Sequence, residues 1–138
     1  MTERTLDPSA EQIGRLAAAT GTGPIVMLNL LRFKDQADGI DAADGISGRD
    51  AYERYGAGVG PYLAAAGGEI LFMAECADGV IGPADEAWDV MALVRYPSRQ
   101  AFLGMIADPG YQAVHGHRAA ALEDSRLVCF EQTVTPQP

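Results

Sequence analysis

The segment PIVMLNLLRFK, residues 24–34, is the clearest β-strand in the sequence because apolar side chains occupy both of its faces. Since the side chains of a strand alternate, Met27, Asn29 and Leu31 share one face, while Leu28 and Leu30 share the other. A strand that is apolar on both faces lies inside a sheet that is covered on both sides. The sequence therefore predicts a central strand that needs two covering layers.

Three later segments also have the composition of strands. EILFMAEC precedes an Asp-Gly turn, AWDVMALVRY is stopped by Pro97, and the last apolar run is LVCF. These features predict strands over residues 69–76, 87–96 and 125–133.

Helix signals separate the strands. Ser47 and Ser98 are candidate N-caps because a serine hydroxyl accepts hydrogen bonds from free backbone N–H groups at a helix start. Asp108 followed by Pro109 predicts the start of another helix, since proline fits the first helical turn. The glycines near Pro61 weaken the helix after Ser47, which predicts a break near Gly60.

The order of these elements indicates the fold class. After a leading helix come strand, helix, strand, strand, helix and strand, which is the ferredoxin-like βαββαβ order of an α+β protein. This arrangement has a four-stranded antiparallel sheet, helices on one face, and the first and third strands in the middle. Residues 24–133 then form a single domain, residues 1–23 an N-terminal helix and linker, and residues 134–138 a flexible tail.

The face of the sheet without helices is predicted to be apolar. Soluble monomers rarely expose an apolar patch larger than a few hundred Å². A second copy of the chain would cover this face. We therefore expect a homodimer through the open sheet face, which is a dimeric α/β barrel.

Composition and charge exclude several classes of partner. The chain has 138 residues and a formal net charge of −9, with its basic residues scattered. Nucleic acids and anionic membranes need clustered Lys and Arg, so we expect neither as a partner. No targeting segment is recognised, and Cys76 and Cys129 are expected to be buried, unpaired thiols. Both observations favour a cytoplasmic protein.

No metal or cofactor is expected from the sequence. The acidic segment 35–46 lacks the ligand spacing of a calcium loop and is predicted to be a mobile loop. His115 and His117 are two residues apart on a predicted helix, so their side chains point about 200° apart and cannot share one metal ion.

Four motifs of the sequence resemble a known family. The motifs MLNLLRF on the first strand, WD at the start of the third, RYPS between the third strand and the next helix, and DPGYQAVHGHR on the last helix resemble domain-of-unknown-function family 1330. The match runs from about residue 24 to residue 131 and is most specific at DPGY. The family is similar to the dimeric α/β-barrel superfamily, which implies the fold and the dimer. The resemblance implies no particular reaction, since a fold does not determine function.

Related dimeric barrels suggest which residues carry chemistry. Antibiotic-biosynthesis and haem-degrading monooxygenases are similar in fold, and some use an Asn on the first strand and a Trp on the third, which implies roles for Asn29 and Trp88. Burying a side-chain amide costs about 1–3 kcal/mol unless it is hydrogen-bonded. Asn29 therefore forms hydrogen bonds either with a ligand or with other groups of the protein. Trp88 either packs on a ligand or belongs to the core.

The remaining candidate site residues have basic or phenolic side chains. His115 follows Tyr111 by four residues and precedes Arg118 by three, so these side chains share a helix face. His115 is a candidate proton carrier, and otherwise a structural or solvated histidine. Arg95 and Arg118 are candidates to hold an anionic substrate, or else to pair with Asp89, Asp108 or Glu123.

We expect a small-molecule-binding protein. Asn29, Arg95 and His115 are the predicted catalytic residues. Ligand contacts are predicted for Trp88, Tyr55, Tyr111 and Arg118. If the protein is an enzyme, it performs a cofactor-independent oxygenation or a proton transfer on a small organic substrate. The alternative is a non-catalytic ligand-binding or structural dimer.

Overall fold

A computed structural model describes residues 4–132 of the chain. A 3-10 helix, Gly39–Asp44, lies between the first strand and the second helix. The helices and strands in chain order are α1 (Ala10–Ala18), β1 (Ile25–Phe33), α2 (Gly48–Ala65), β2 (Glu69–Glu75), β3 (Val90–Tyr96), α3 (Arg99–Ala107), α4 (Pro109–Ala121) and β4 (Leu122–Phe130). The tail expected at 134–138 lies outside the described residues.

The four strands form one antiparallel sheet in the order β2-β3-β1-β4. β1 and β3 are the inner strands, as predicted. In this register Asn29 of β1 lies opposite Ala92 of β3 on one side and Leu127 of β4 on the other. The ferredoxin-like α+β arrangement is confirmed, although the sheet of a single chain is open and does not close into a barrel.

The predicted helix starts are confirmed at the level of single hydrogen bonds. The Ser47 hydroxyl accepts from the N–H of Asp50 at 3.0 Å, and the Ser98 hydroxyl accepts from Ala101 at 3.1 Å. The Asp108 carboxylate caps α4, which has proline in its first turn. These caps satisfy backbone donors that have no partner within the helix.

The predicted break near Gly60 is wrong. α2 runs without interruption from Gly48 to Ala65, with Pro61 inside it. Tyr55, Val59 and Leu63 of this helix pack against the hydrophobic core on the sheet. Packing therefore outweighs the lost hydrogen bond and the low helix propensity, which act only locally.

The start of α2 lies very close to neighbouring backbone. Gly48 donates its N–H to the carbonyl oxygen of Lys34 at 3.0 Å. A Cβ atom at this position would lie only 2.3 Å from that oxygen and 2.6 Å from the carbonyl oxygen of Ala121. Glycine is required here because of this close approach.

The core lies between the sheet and the helices. One cluster contains Ile25, Met27 and Tyr96 from the inner strands, together with Phe102 and Met105 from α3. A second cluster, at the other end of the sheet, is built around Leu31 and Leu122. These strand residues define the helix-covered face.

The opposite face of the sheet is apolar. Phe72 lies opposite Leu93 in the register, and Phe130 lies opposite Val26, so these residues project from the same side as Leu28. The exposed fractions of Phe72 and Phe130 are 54% and 47%. We call this side the open face; it carries the apolar surface that the sequence predicts.

Two expectations about polar and sulfur-containing residues are wrong. The acidic segment is not only a loop, because it contains the 3-10 helix, and Asp41 on that helix is 1% exposed. Cys76 is exposed instead of buried, because it follows the end of the edge strand β2, and Cys129 is partly buried. Both thiols are free, and their strands are on opposite edges of the sheet.

None of the helices in residues 4–132 has the length and hydropathy needed to cross a bilayer.

Candidate functional site

A cavity of about 1100 Å³ lies between the helix-covered face of the sheet and helices α2, α3 and α4. The N-terminal arm, which we define as residues 5–8, forms part of its wall together with α1. Most of the wall is apolar, with Met27, Phe102 and Met105 among its members. Polar residues also line the cavity, among them Asn29, Tyr52, Tyr55, Tyr111, His115 and Arg118.

The structure brings together five of the seven predicted site residues. Asn29 reaches the cavity from β1, Tyr55 from α2, and Tyr111, His115 and Arg118 from α4. The three residues from α4 share one helix face, as their spacing predicts. The sequence therefore identifies part of the polar wall.

Arg95 and Trp88 do not belong to this cavity. Arg95 lies opposite Val26 and Glu69 in the sheet, so it projects from the open face. The reason is the alternation of β3, in which Arg95 is three residues from Ala92, the cavity residue opposite Asn29. Trp88 precedes β3, and its ring lies 4.9 Å from the guanidinium of Arg126. The prediction that both share a site with Asn29 is wrong.

Asn29 is a partly buried amide in the middle of the central strand. Its Nδ2 atom lies 3.4 Å from the carbonyl oxygen of Met27. This distance is long, since N–H···O bonds are usually 2.9–3.0 Å. A ligand oxygen is therefore able to compete for the amide donor.

Three tyrosines form one side of the cavity. The ring centroids of Tyr52 and Tyr55 are 5.3 Å apart, and those of Tyr55 and Tyr111 are 6.4 Å apart at a steep angle. Burial raises the pKa of Tyr55 far above its ordinary value, and the neighbouring Tyr111 raises it further. Burial also raises the pKa of Tyr52, against the opposing charge of Arg118. The phenols of Tyr52 and Tyr55 are therefore neutral at physiological pH.

The two basic residues of α4 contact the N-terminal arm. The Nε2 atom of His115 lies 2.9 Å from a carboxylate oxygen of Asp7. Arg118 donates from Nη1 to the carbonyl oxygen of Leu6 at 2.6 Å and from Nη2 to the hydroxyl of Ser125 at 3.3 Å. Hydrogen bonds between Thr5 and β4 hold the arm in place.

The sequence did not reveal the role of the arm. Asp7 was part of the leading segment, which lies outside the family motifs, and its contact with His115 joins distant parts of the chain. The place of Tyr52 on the cavity wall could have been predicted from the sequence, because Tyr52 precedes Tyr55 by three residues on α2 and so lies on the same helix face. Local patterns identify shared faces, but they do not identify contacts between distant segments.

His117 lies in a different environment from His115. Its Nδ1 atom lies 2.8 Å from a carboxylate oxygen of Asp41, whose other oxygen accepts from Arg54 at 2.8 Å. Burial acts to raise the pKa of Asp41, but hydrogen bonds from His117 and Arg54 outweigh it, and the net pKa is lowered. The two histidines point to separate partners, as predicted. Within residues 4–132 no group of three or more His, Cys, Asp or Glu side chains is placed to hold a metal ion.

Solved structures resemble this chain at two levels, some closely and others only in fold. A Rhodopseudomonas palustris protein of unknown function is 37% identical, has a TM-score of 0.88, and covers 97% of this chain and 100% of its own. A dimeric ferredoxin-like protein of unknown function from Bacteroides fragilis is 12% identical with a TM-score of 0.52, covering 80% and 97%. A hydroxynitrile lyase from Passiflora edulis is 12% identical with a TM-score of 0.57, covering 84% and 100%. At 12% identity the likeness concerns the fold alone.

The family model called Domain of unknown function (DUF1330) matches residues 42–133, which include α2, the DPGY motif and the basic residues of α4. Among curated proteins none matches. The matched segment is more than half of the chain and confirms the resemblance to this family, although it begins after the MLNLLRF motif. The chain belongs to the DUF1330 family.

Proposed function

We propose that the cavity binds a small organic molecule with a largely apolar body. The observation that carries this proposal is the convergence of Asn29, His115 and Arg118 from two elements on a largely apolar wall. Ligand sites in proteins are typically apolar concavities of about 300–1000 Å³ with a few polar groups that orient the ligand. The volume of about 1100 Å³ is close to that range.

The same geometry supports a proton-transfer enzyme. When Nε2 of His115 donates to Asp7, the Nδ1 atom carries the lone pair and is the base. Asn29 then orients a carbonyl or oxyanion of the substrate, and the tyrosines shield it from water. A hydroxynitrile lyase is among the proteins with this fold, so the fold carries lyase chemistry in at least one case. Cofactor-independent oxygenation is the second reaction class that we propose for this cavity.

A non-catalytic binding protein is the alternative. It is favoured by the hydrogen bond between the hydroxyls of Tyr55 and Tyr111, which satisfy each other without a ligand. Turnover of bound ligand separates the two hypotheses. His115→Gln abolishes turnover in an enzyme but leaves binding largely intact in a carrier.

We further propose that the chain functions as a homodimer through its open face. This face is apolar, with Phe72 and Phe130 about half exposed. Two solved proteins with this fold are described as dimeric. A second copy would remove these side chains from water, which stabilises the pair by about 25 cal/mol per Å² of apolar surface.

A neutral fluorescent probe tests the cavity. Gly56 lines the cavity on α2, and no atom lies within 4 Å of a Cβ built there, so the side chain of Gly56→Leu starts in open space and takes up part of the cavity. Gly14 on α1 is equally unobstructed but does not line the cavity, and Gly14→Leu is the matched control.

We expect N-phenylnaphthylamine to bind the wild-type protein and Gly14→Leu with equal affinity, and to bind Gly56→Leu at least about tenfold more weakly. Equal binding to all three proteins would place the probe elsewhere, for example on the open face, and would refute the cavity as its site.

A further inference from the structure

We infer that the ligand is an organic anion, and that Arg118 binds its carboxylate. This inference rests on the proposed function, because it names the chemical class of ligand for the same cavity. Its starting point is the environment of one guanidinium.

Arg118 is partly buried on the cavity wall, and within residues 4–132 its hydrogen bonds go only to neutral groups. These acceptors are the carbonyl oxygen of Leu6 and the hydroxyl of Ser125. Sequence reasoning allowed an ion pair with Asp89, Asp108 or Glu123, but none of these carboxylates pairs with Arg118 within residues 4–132. A partly desolvated guanidinium with only neutral partners is able to gain a charge-assisted bond from an incoming carboxylate.

Arg118 gives the cavity a local positive charge although the whole chain is acidic. Arg126 is also among the lining residues, but its guanidinium lies 2.8 Å from the carboxylate of Asp124, so its charge is paired. The chain as a whole has a net charge of −9. The charge that Arg118 places on the wall is therefore a local property, and it favours anionic ligands that reach it.

The N-terminal arm already places oxygen atoms on the two basic residues. The carbonyl of Leu6 lies 2.6 Å from Arg118, and the carboxylate of Asp7 lies 2.9 Å from His115. These oxygens mark where acceptor atoms fit. A ligand carboxylate would replace the carbonyl of Leu6 on Arg118, because a charged acceptor binds a guanidinium more strongly than a neutral one.

The rest of the wall selects the body of the ligand. Tyr52 and Tyr55 lie close enough to Arg118 for its charge to act on their pKa values, so the anionic end of the ligand lies beside phenol rings. Met27, Phe102 and Met105 line the remainder. The ligand class is therefore a small carboxylic acid with an apolar or aromatic body.

A pair of matched ligands tests this inference by calorimetry. The probes are para-tert-butylbenzoate, which is an anion, and para-tert-butylbenzamide, which has nearly the same shape without the charge. We expect the wild-type protein to bind the acid at least about tenfold more tightly than the amide, since charge-assisted bonds are roughly twice as strong as neutral ones.

Single-residue variants test whether Arg118 causes the preference for the acid over the amide. Arg118→Gln should bind acid and amide about equally, and its retained amide binding shows that the cavity is intact. Arg118→Lys should keep part of the preference, because lysine keeps the charge but loses the planar fork. Arg15→Gln is the control, since Arg15 is exposed on α1 and pairs with Glu11. Asp7→Asn should tighten acid binding by about twofold or more, because it removes a negative charge from the wall.

The outcomes separate this inference from the proposed function. Equal affinity of the wild-type protein for acid and amide, or an acid preference that survives in Arg118→Gln, would overturn the anion inference while leaving the cavity as a ligand site. Failure of both probes while N-phenylnaphthylamine binds would also overturn it. Failure of all three ligands would overturn the proposed function itself.

Discussion

The hydroxyl oxygens of Tyr55 and Tyr111 lie 3.1 Å apart, so that a hydrogen bond joins α2 to α4 at the wall of the cavity. The rings meet edge to face, and a core cluster packs against both. This bond fixes the distance between the helix that carries Tyr52 and Tyr55 and the helix that carries Tyr111, His115 and Arg118. It also makes the protein sensitive to alkaline pH.

Tyr55→Phe should reduce the loss of stability at high pH. Because the folded pKa of Tyr55 is raised above the unfolded value of about 10, the unfolded state releases a proton that the folded state retains. The stabilisation is complete below pH 10 and declines as the pH rises beyond it. Chemical denaturation from pH 8 to pH 11 should show a shallower decline for the variant, which also loses about 0.5–1.5 kcal/mol at neutral pH. If the stability of variant and wild type declined equally with pH, the raised pKa of Tyr55 would be contradicted.

Asp41→Asn should lower the free energy of unfolding by about 1–3 kcal/mol, because it replaces the buried carboxylate shared by His117 and Arg54 with a neutral amide. The folded pKa of Asp41 is below 3.8, so its contribution is complete above that pH and disappears as the pH falls through the folded value. Thermal unfolding should show a gap between variant and wild type that narrows below about pH 4.

The control for this prediction is Asp44→Asn. Asp44 also pairs with Arg54 but is half exposed, so its loss should cost less than about 1 kcal/mol. Equal effects of the two variants would show that Asp41 has no special role.

Phe72→Glu should disrupt the homodimer. Phe72 projects from the open face opposite Leu93 and is 54% exposed in the single chain, so a charge there is buried only in the dimer. Its neighbour Met73 is 52% exposed but lies opposite Ala92 on the other face. In sedimentation equilibrium the dissociation constant should rise at least about 100-fold for Phe72→Glu. Met73→Glu should remain dimeric, and a monomeric wild-type protein would contradict the proposal outright.

Gly48→Ala should destabilise the fold strongly, because a Cβ atom would lie 2.3 Å from a backbone oxygen. We expect a loss of about 3 kcal/mol, at the upper end of the 1–3 kcal/mol typical of overpacking, because the atoms met are backbone oxygens. Gly104→Ala on α3 meets nothing within 4 Å and should instead raise stability by about 0.5–1 kcal/mol. Denaturant midpoints measure both, and a tolerated Gly48→Ala would show that the close approach relaxes easily.

The fold was predictable because its signals are local. The two apolar faces of residues 24–34 and the caps Ser47, Ser98 and Asp108 each depend on a few neighbouring residues. The strand order followed from the order of elements. The break near Gly60 was predicted wrongly because tertiary packing of α2 outweighs the propensity of its glycines and proline.

The candidate site was predictable only in part. Helical spacing placed Tyr111, His115 and Arg118 on one face, and the structure agrees. Arg95 was assigned to the wrong side because the alternation of β3 had not been related to that of β1, and this relation depends on the register between strands. The partners Asp7 and Asp41 were not predictable, since they lie on irregular segments whose course is set by the folded protein.

The methionine methyl groups offer the most direct test of the cavity as a ligand site. Met27 and Met105 line the cavity, whereas Met91 pairs with Leu30 and Ala74 on the open face. In a titration with para-tert-butylbenzoate followed by methyl NMR, the resonances of Met27 and Met105 should shift and saturate while that of Met91 stays in place. A shift of Met91 alone, or no shift at any of these methyl groups, would contradict a ligand site between the sheet and its helices.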